Sequence, residues 1–558
     1  MRYRKLAGWV GAWLAGASMA ADATPVHYLV FEMDPAGRVS PVHYARVEMQ
    51  ATADAILAAQ SPRAGRRDAT LGYRLLQHGQ DLGVHTIALP QVRGEFARDP
   101  GHDGNIEAAR VDDAAPRAFV LRIPVDAGDV VEFDSGASSQ SYVLADLAAR
   151  AATLRLASVP GLPTPQAPNA GAPGNRFDVL VLGDGYTAAQ QANFASDAAA
   201  MGGAYFGITP HLEYQSFVNW TPVFTASAQS GADHPPYQAA CNSSSCCSDP
   251  YAQDDPRAGQ FVNTAFDATF CYGQTHRLLV VDYAKAFAAA ASHPEWDEII
   301  VIVNDPVYGG SGGTMSVASM HPSAGELVLH EMGHSFTDLA DEYSTPYPGY
   351  PPCSDISGSS PCEANVTNQT DPGQVKWRAW FTSGNPIPTP PGTSGVGLFE
   401  GARYQSVGMY RPVDVQCEMQ YLGMPFCAAC REAYVKRLYA GGWGIPAGGI
   451  DLIEPGSEVP ASAQPVAYPP GMALRFGVDL LRPSVGTLAV EWRLDGVPLA
   501  GAVNDSYVFS QAGPTPATRT LELRVRDTSA YVAGSLPTRS RSWTIQVDTD
   551  RIWFDGFD

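Results

Sequence analysis

The stretch Ser323-Ala-Gly-Glu-Leu-Val-Leu-His330-Glu331-Met-Gly-His334-Ser-Phe-Thr-Asp338-Leu-Ala-Asp341-Glu342-Tyr343 decides how the rest of the chain is read. Ser323 followed by Glu326 is a capping-box pattern for a helix N-terminus. Leu327, Val328, Met332 and Phe336 give that helix an apolar set at helical spacing. On a helix, His330 and His334 stand about 40° apart around the axis and ~6 Å apart along it, so both imidazoles can reach one ion. Glu331 lies beside them, where it can hold and deprotonate a water. H-E-x-x-H thus predicts Zn2+ bound by His330 and His334, with Glu331 as the catalytic base. The competing reading is a buried helix with two incidental histidines. Only 12 of the 558 residues are histidine, so composition alone rarely produces the pattern.

No histidine follows His334. The third ligand is therefore a carboxylate or, less simply, an upstream histidine such as His321. Asp338, Asp341 and Glu342 are the near candidates and Glu400 a remote one. Were the helix to run straight on, Asp341 would lie ~16 Å along the axis from His330. A zinc–oxygen contact needs about 2 Å, so the helix must end after His334 and the chain must turn back. Asp338 is too close in sequence to swing round, whereas Asp341 and Glu342 both have enough chain to return.

At 558 residues the chain is too long for one core and calls for several domains. The net charge of −21 argues against nucleic-acid or anionic-membrane partners. Residues 1–20 read as a secretory signal peptide: Arg2, Arg4 and Lys5, then an apolar run from Leu6 to Ala15, then Ser18-Met-Ala20. No later segment is long and apolar enough to span a bilayer, so the mature protein is expected outside the cell. All nine cysteines fall between Cys241 and Cys430. In an exported protein they predict disulfides with at least one thiol left over. Cys427-Ala-Ala-Cys430 taken alone also fits redox chemistry or zinc, but a second C-x-x-C is missing, so structural bridges are expected there too.

Taken in order, residues 25–155 read as β, with strand-like runs at His27–Met33, Leu71–Leu76 and Ala118–Ile123 between turn residues. The histidines of this part do not cluster at ligand spacing. A linker follows at 156–175, rich in Pro, Gly and Ala. Phe177–Gly183 is a buried strand, Asp184 a turn residue, and Thr187 with Gln190 a second capping box. His276–Asp282 and Glu298–Asn304 read as further core strands, with a helix over 285–292 between them. Glycines in Tyr308-Gly-Gly-Ser-Gly-Gly313 suit an edge strand close enough to pair with a substrate backbone. The Pro- and Gly-rich stretch from Tyr343 to Gly397, with Cys353 and Cys362, reads as a long loop clipped by a disulfide. Residues 431–439 form a closing helix. From 449 to 548 the pattern is β again, with a hairpin turn at Asp495-Gly496, and 549–558 is an aromatic tail.

The motif His330–Tyr343 resembles the signature of the IgA peptidase family of secreted, metzincin-like zinc metallopeptidases. Val179–Thr187, Tyr308–Gly313, and Cys417-Glu-Met-Gln-Tyr421 with Phe426–Cys430 fit the same family and occur in its order. One departure stands out: Thr337 and Asp338 occupy the place where such helices usually carry a glycine. The resemblance implies a multidomain protein, with an α/β (α+β) zincin-type domain over 176–445 flanked by β-sandwiches at 25–155 and 449–548, the latter Ig- or PKD-like. It implies Asp341 as the third metal ligand, Met419 as the apolar floor beneath the ion, and Tyr421 as a residue that stabilises the oxyanion. The activity implied is hydrolysis of peptide bonds in protein or peptide substrates. The rivals are an exported zinc hydrolase acting on a small molecule or glycan, and a non-catalytic surface adhesin.

Overall fold

The computed structural model describes residues 23–60, 70–90, 92–97, 106–110, 117–134, 139–157, 170–346, 350, 352–358, 360–440, 449–512 and 517–547. The leader expected at 1–20, most of the linker and the tail 549–558 lie outside these residues.

A seven-stranded mixed sheet occupies the centre. Its strands are β1 (Val92–Ala97), β2 (Ile106–Arg110), β3 (Phe177–Asp184), β4 (Val218–Val223), β5 (Glu298–Val303), β6 (Gly310–Gly313) and β7 (Ser316–Ser319), in the order β4-β3-β5-β7-β6-β1-β2. β4, β3, β5 and β7 run parallel, and β6, β1 and β2 add antiparallel. β3 and β5 are apolar almost throughout because both their faces are covered.

Four helices matter for the site: α1 (Gln191–Tyr205), α2 (Tyr283–Ala290), α3 (Ala324–Ser335) and α4 (Ala428–Ala440). Side chains alternate across a strand. Val179, Val181, Ile300 and Ile302 accordingly pack with α1, α3 and α4, whereas Leu180, Leu182, Ile299 and Val301 pack with α2. The capping box of Thr187 and Gln190 forms ahead of α1. That of Ser323 and Glu326 does not, because Ser323 sits at φ −89°, ψ 9° without a side-chain cap bond. His276–Asp282 is not a regular strand either. Its apolar residues are buried, but only single bridges tie it, Thr269 to Val280 and Leu278 to Gly310. An apolar run records burial, not sheet pairing.

Before the central sheet, a three-stranded sheet (Val39–Met49, Thr24–Met33, Arg117–Pro124) and a four-stranded one (Gln80–Ala88, Thr70–Gln77, Val130–Asp134, Ser139–Val143) share one buried cluster. After it, a five-stranded sheet and the pair Ala473–Gly477 with Ser506–Ser510 enclose Trp492 and Trp543, stacked 5.5 Å apart. The expected turn forms at Asp495 and Gly496, φ 49° and 80°. This C-terminal part does not have a separate core, since one apolar cluster runs from Phe177 to Val547. Asp527 accepts hydrogen bonds from Tyr214 and Tyr439 at 2.5 and 2.9 Å, and Arg176 pairs with Glu454.

Candidate metal centre

α3 ends where the ligand geometry needs it to. Leu339 N–H closes a seven-residue turn onto Gly333 C=O at 3.0 Å, and Asp338 takes the left-handed position at φ 59°. That position is usual for glycine at a helix end, and aspartate tolerates the region better than most residues. The chain thereby reverses within three residues and brings Asp341 back.

His330 Nε2 and His334 Nε2 are 3.1 Å apart, and Asp341 Oδ1 is 3.1 Å from the first and 3.4 Å from the second. All three residues are buried. His330 Nδ1 donates to Glu418 C=O at 3.0 Å and His334 Nδ1 to Leu339 C=O at 2.7 Å. In the neutral rings these bonds leave both Nε2 atoms as bare lone pairs pointing at each other and at a carboxylate. Three acceptors facing one point need a cation between them. Separations of 3.1–3.4 Å are those of neighbouring donors that each stand about 2 Å from one zinc ion. The residues present fit the metal.

Tyr404 O–H donates to Asp341 Oδ2 at 3.0 Å, and Arg403 N–H to Asp341 C=O at 3.0 Å. Burial pushes the Asp341 carboxyl up, but the imidazoles of His334 and His330 outweigh it and hold it well below the ordinary carboxylate range. Arg403 and Tyr404 form a two-residue turn with φ 52° and 58°, a primed turn built without glycine or asparagine. Non-glycine residues held there store on the order of 1 kcal/mol each or more, as happens around functional sites.

The family model of IgA Peptidase M64 matches residues 167–249 and 247–396. The match likens this part of the chain to the IgA Peptidase M64 family. His330, Glu331, His334 and Asp341 lie inside the matched span, and Cys417 to Cys430 beyond it. No curated protein matches the chain.

Around the centre, Glu331 is buried beneath β6. A Cβ on Gly312 would lie 1.7 Å from Glu331 Oε2, so only glycine lets the strand approach so closely. β6 is not a free edge, however. Gly312 and Gly313 pair with Arg93 and Val92 of β1, so a strand from the N-terminal part fills the position expected for substrate. β-pairing between residues some 220 apart has no local sequence signal.

Met419 lies under α3, its Sδ 2.6 Å from where a Gly333 Cβ would stand. Tyr421 is 38% exposed. Tyr404 and Tyr343 stand next to the centre, the ring of Tyr343 stacking on His330 at 6.2 Å. Glu400 is exposed, and His321 accepts from Ser323 N–H. Glu342 turns away from the histidines toward Cys427 and Cys430. Asp184 is a buried knot that accepts from Ser227, Thr264, Phe266 and Ala268. Disulfides join Cys241 to Cys246, Cys247 to Cys271 and Cys353 to Cys362, the last clipping the long loop as expected. Cys417, Cys427 and Cys430 are free thiols, so the structural bridges expected of Cys427 and Cys430 are not formed.

Among the described residues, no helix is long and apolar enough to cross a membrane.

Proposed function

We propose that this protein is an M64-type secreted zinc endopeptidase acting on protein substrates, in which His330, His334 and Asp341 hold the metal and Glu331 is the general base. The observation that carries the reading is the pair of bare Nε2 atoms facing Asp341 Oδ1 with Glu331 on the intervening turn of helix. The reading extends to the fold: a zincin-type domain over 176–445, flanked by accessory β-sandwiches at 25–155 and 449–548. The disulfides favour an oxidising compartment, in keeping with a cleaved leader at 1–20.

Bound zinc would acidify the attacking water and polarise the scissile carbonyl. Glu331 takes the proton of that water and returns it to the leaving amine. The Nδ1–H bonds to Glu418 and Leu339 keep the two imidazoles from rotating, and Tyr404 fixes the Asp341 carboxylate. β6 is the strand a substrate peptide would pair with, which requires β1 to yield at Gly312 and Gly313.

Glu331→Gln is expected to abolish hydrolysis of a peptide substrate while leaving the zinc content of the wild type. His330→Ala, His334→Ala and Asp341→Ala are each expected to lower it by one ion per chain. A folded Glu331→Gln protein that still hydrolyses peptides removes the general-base assignment. Wild-type zinc content in Asp341→Ala removes the third ligand.

A further inference from the structure

A second group of metal-ligating side chains lies buried beyond the triad. The ligand atoms of Glu342, Cys417, Cys427 and Cys430 all fall within 4.8 Å of one another. Cys430 Sγ is 3.6 Å from Cys417 Sγ, 3.5 Å from Cys427 Sγ and 3.6 Å from Glu342 Oε1. Cys427 Sγ stands 4.0 Å from the same oxygen. We propose that these four side chains form a second, structural zinc site, with three thiolates and one carboxylate around a single ion.

The spacings favour an ion over bonded sulfurs. Donors around tetrahedral zinc, at about 2.3 Å for sulfur and 2.0 Å for oxygen, stand about 3.7 Å apart sulfur to sulfur and about 3.5 Å sulfur to oxygen. Bonded sulfurs would be about 2 Å apart. The other six cysteines are paired, and these three are held apart at the wider spacing. Three thiols cannot pair off in any case.

The carboxylate is the independent sign of a ligand. Glu342 is fully buried, its Oε1 accepts from Asn365 Nδ2 at 3.0 Å, and its Oε2 has no hydrogen-bond partner. Burying an acceptor unsatisfied is costly, and a cation among the sulfurs removes that cost. Three thiolates with a carboxylate also carry the same donor charge as the four thiolates of a closed structural zinc site. Cys427 and Cys430 bracket the first turn of α4, where the backbone N–H groups of Ala429 and Cys430 reach Cys427 Sγ. A helix N-terminus stabilises a thiolate there.

The position gives the site a purpose. Glu342 follows Asp341 directly, Cys417 begins the loop that carries Met419, and Glu342 N–H already donates to Met419 C=O at 2.8 Å. An ion here ties the third ligand, the floor of the centre and α4 into one unit.

The full chain is purified and its metal, thiols and cobalt-exchanged spectrum are measured. The expected result is two zinc ions per chain, with Cys417, Cys427 and Cys430 all alkylated after denaturation without reductant. The His330→Ala/His334→Ala double variant should keep one ion and, with cobalt, the absorption of a thiolate-bound metal. Cys430→Ser should lose that absorption and weaken zinc at the remaining site about ten- to a hundredfold. A disulfide between any two of the three cysteines overturns the proposal, as does a cobalt form of the double variant without thiolate absorption. Should Cys430→Ser fail to fold, the wild-type and double-variant measurements decide alone. A single wild-type ion that survives the double substitution would refute the catalytic centre and leave this site standing.

Discussion

Gly312→Ala tests the close approach of β6 to the proposed base without touching a metal ligand. The added Cβ would stand 1.7 Å from Glu331 Oε2 and 2.7 Å from its Cδ, and such contacts do not occur below 3.0 Å. The carboxylate oxygen must therefore retreat from 1.7 Å to at least 3.0 Å, a move of 1.3 Å or more. Gly312 is not among the glycines at positive φ, so alanine strains no backbone there. A misplacement of about 1 Å at a reacting group can cost about 100-fold in rate, and a general base contributes about 100- to 10,000-fold in all. The expected loss in kcat is thus about 100-fold, or ~2.7 kcal/mol of barrier, with Glu331→Gln as its upper bound. Zinc content should stay at the wild-type value, because neither imidazole nor Asp341 is displaced. The assay is steady-state cleavage of a short quenched-fluorescent peptide, with thermal unfolding to check the fold. A folded Gly312→Ala protein with kcat within about threefold of wild type would refute the placement of Glu331 as the base under β6.

Other outcomes follow from neighbouring contacts. Tyr404→Phe removes the bond to Asp341 Oδ2 and should weaken zinc at the triad about tenfold, read by competition with a chelator. A chain with 92–110 replaced by a short glycine–serine loop should cleave short peptides faster, since β1 no longer covers β6; an unchanged rate would mean that substrate pairs elsewhere. His234 is buried between Asp255 at 2.8 Å and Asp305 at 3.1 Å, with Arg257 also on Asp305, His276 also on Asp255 and the Phe270 ring stacked on it. Burial lowers its pKa, but the two carboxylates outweigh burial and raise it above the ordinary value. A raised folded pKa gives stability that is full below about pH 6.5 and is lost as pH rises through the folded value. The unfolding free energy should fall over that window, and an equal slope in His234→Asn would rule His234 out as its source.

The helix with its two histidines and glutamate was legible because all of it is local: five residues, one turn and one period. Its reversal was legible as a necessity of distance, although the residue that makes it possible, Asp338 in the left-handed region, is not the glycine that a motif reader looks for. Tyr404 was not legible. It reaches Asp341 from 63 residues away, on a turn whose Arg-Tyr pair carries none of the usual turn chemistry. The β1–β6 pairing and the weld through Asp527 are likewise contacts between distant residues, fixed by packing that no single stretch encodes.

The choice between Asp341 and Glu342 has a physical answer that sequence spacing could not supply. Consecutive side chains of an extended segment point to opposite sides, so the two adjacent carboxylates face different clusters here. Asp341 faces the imidazoles, held by Tyr404, and Glu342 faces the three sulfurs, held by Asn365. Asn365 also brackets Ala340, its Oδ1 accepting from Ala340 N–H at 2.8 Å and its Nδ2 donating to Ala340 C=O at 2.7 Å. A single asparagine thus sets the rotation of the segment, and with it which carboxylate meets which cluster. A half-turn of that segment would exchange the two, so the bond network around Ala340 determines where Asp341 points as surely as the helix determines where the histidines point.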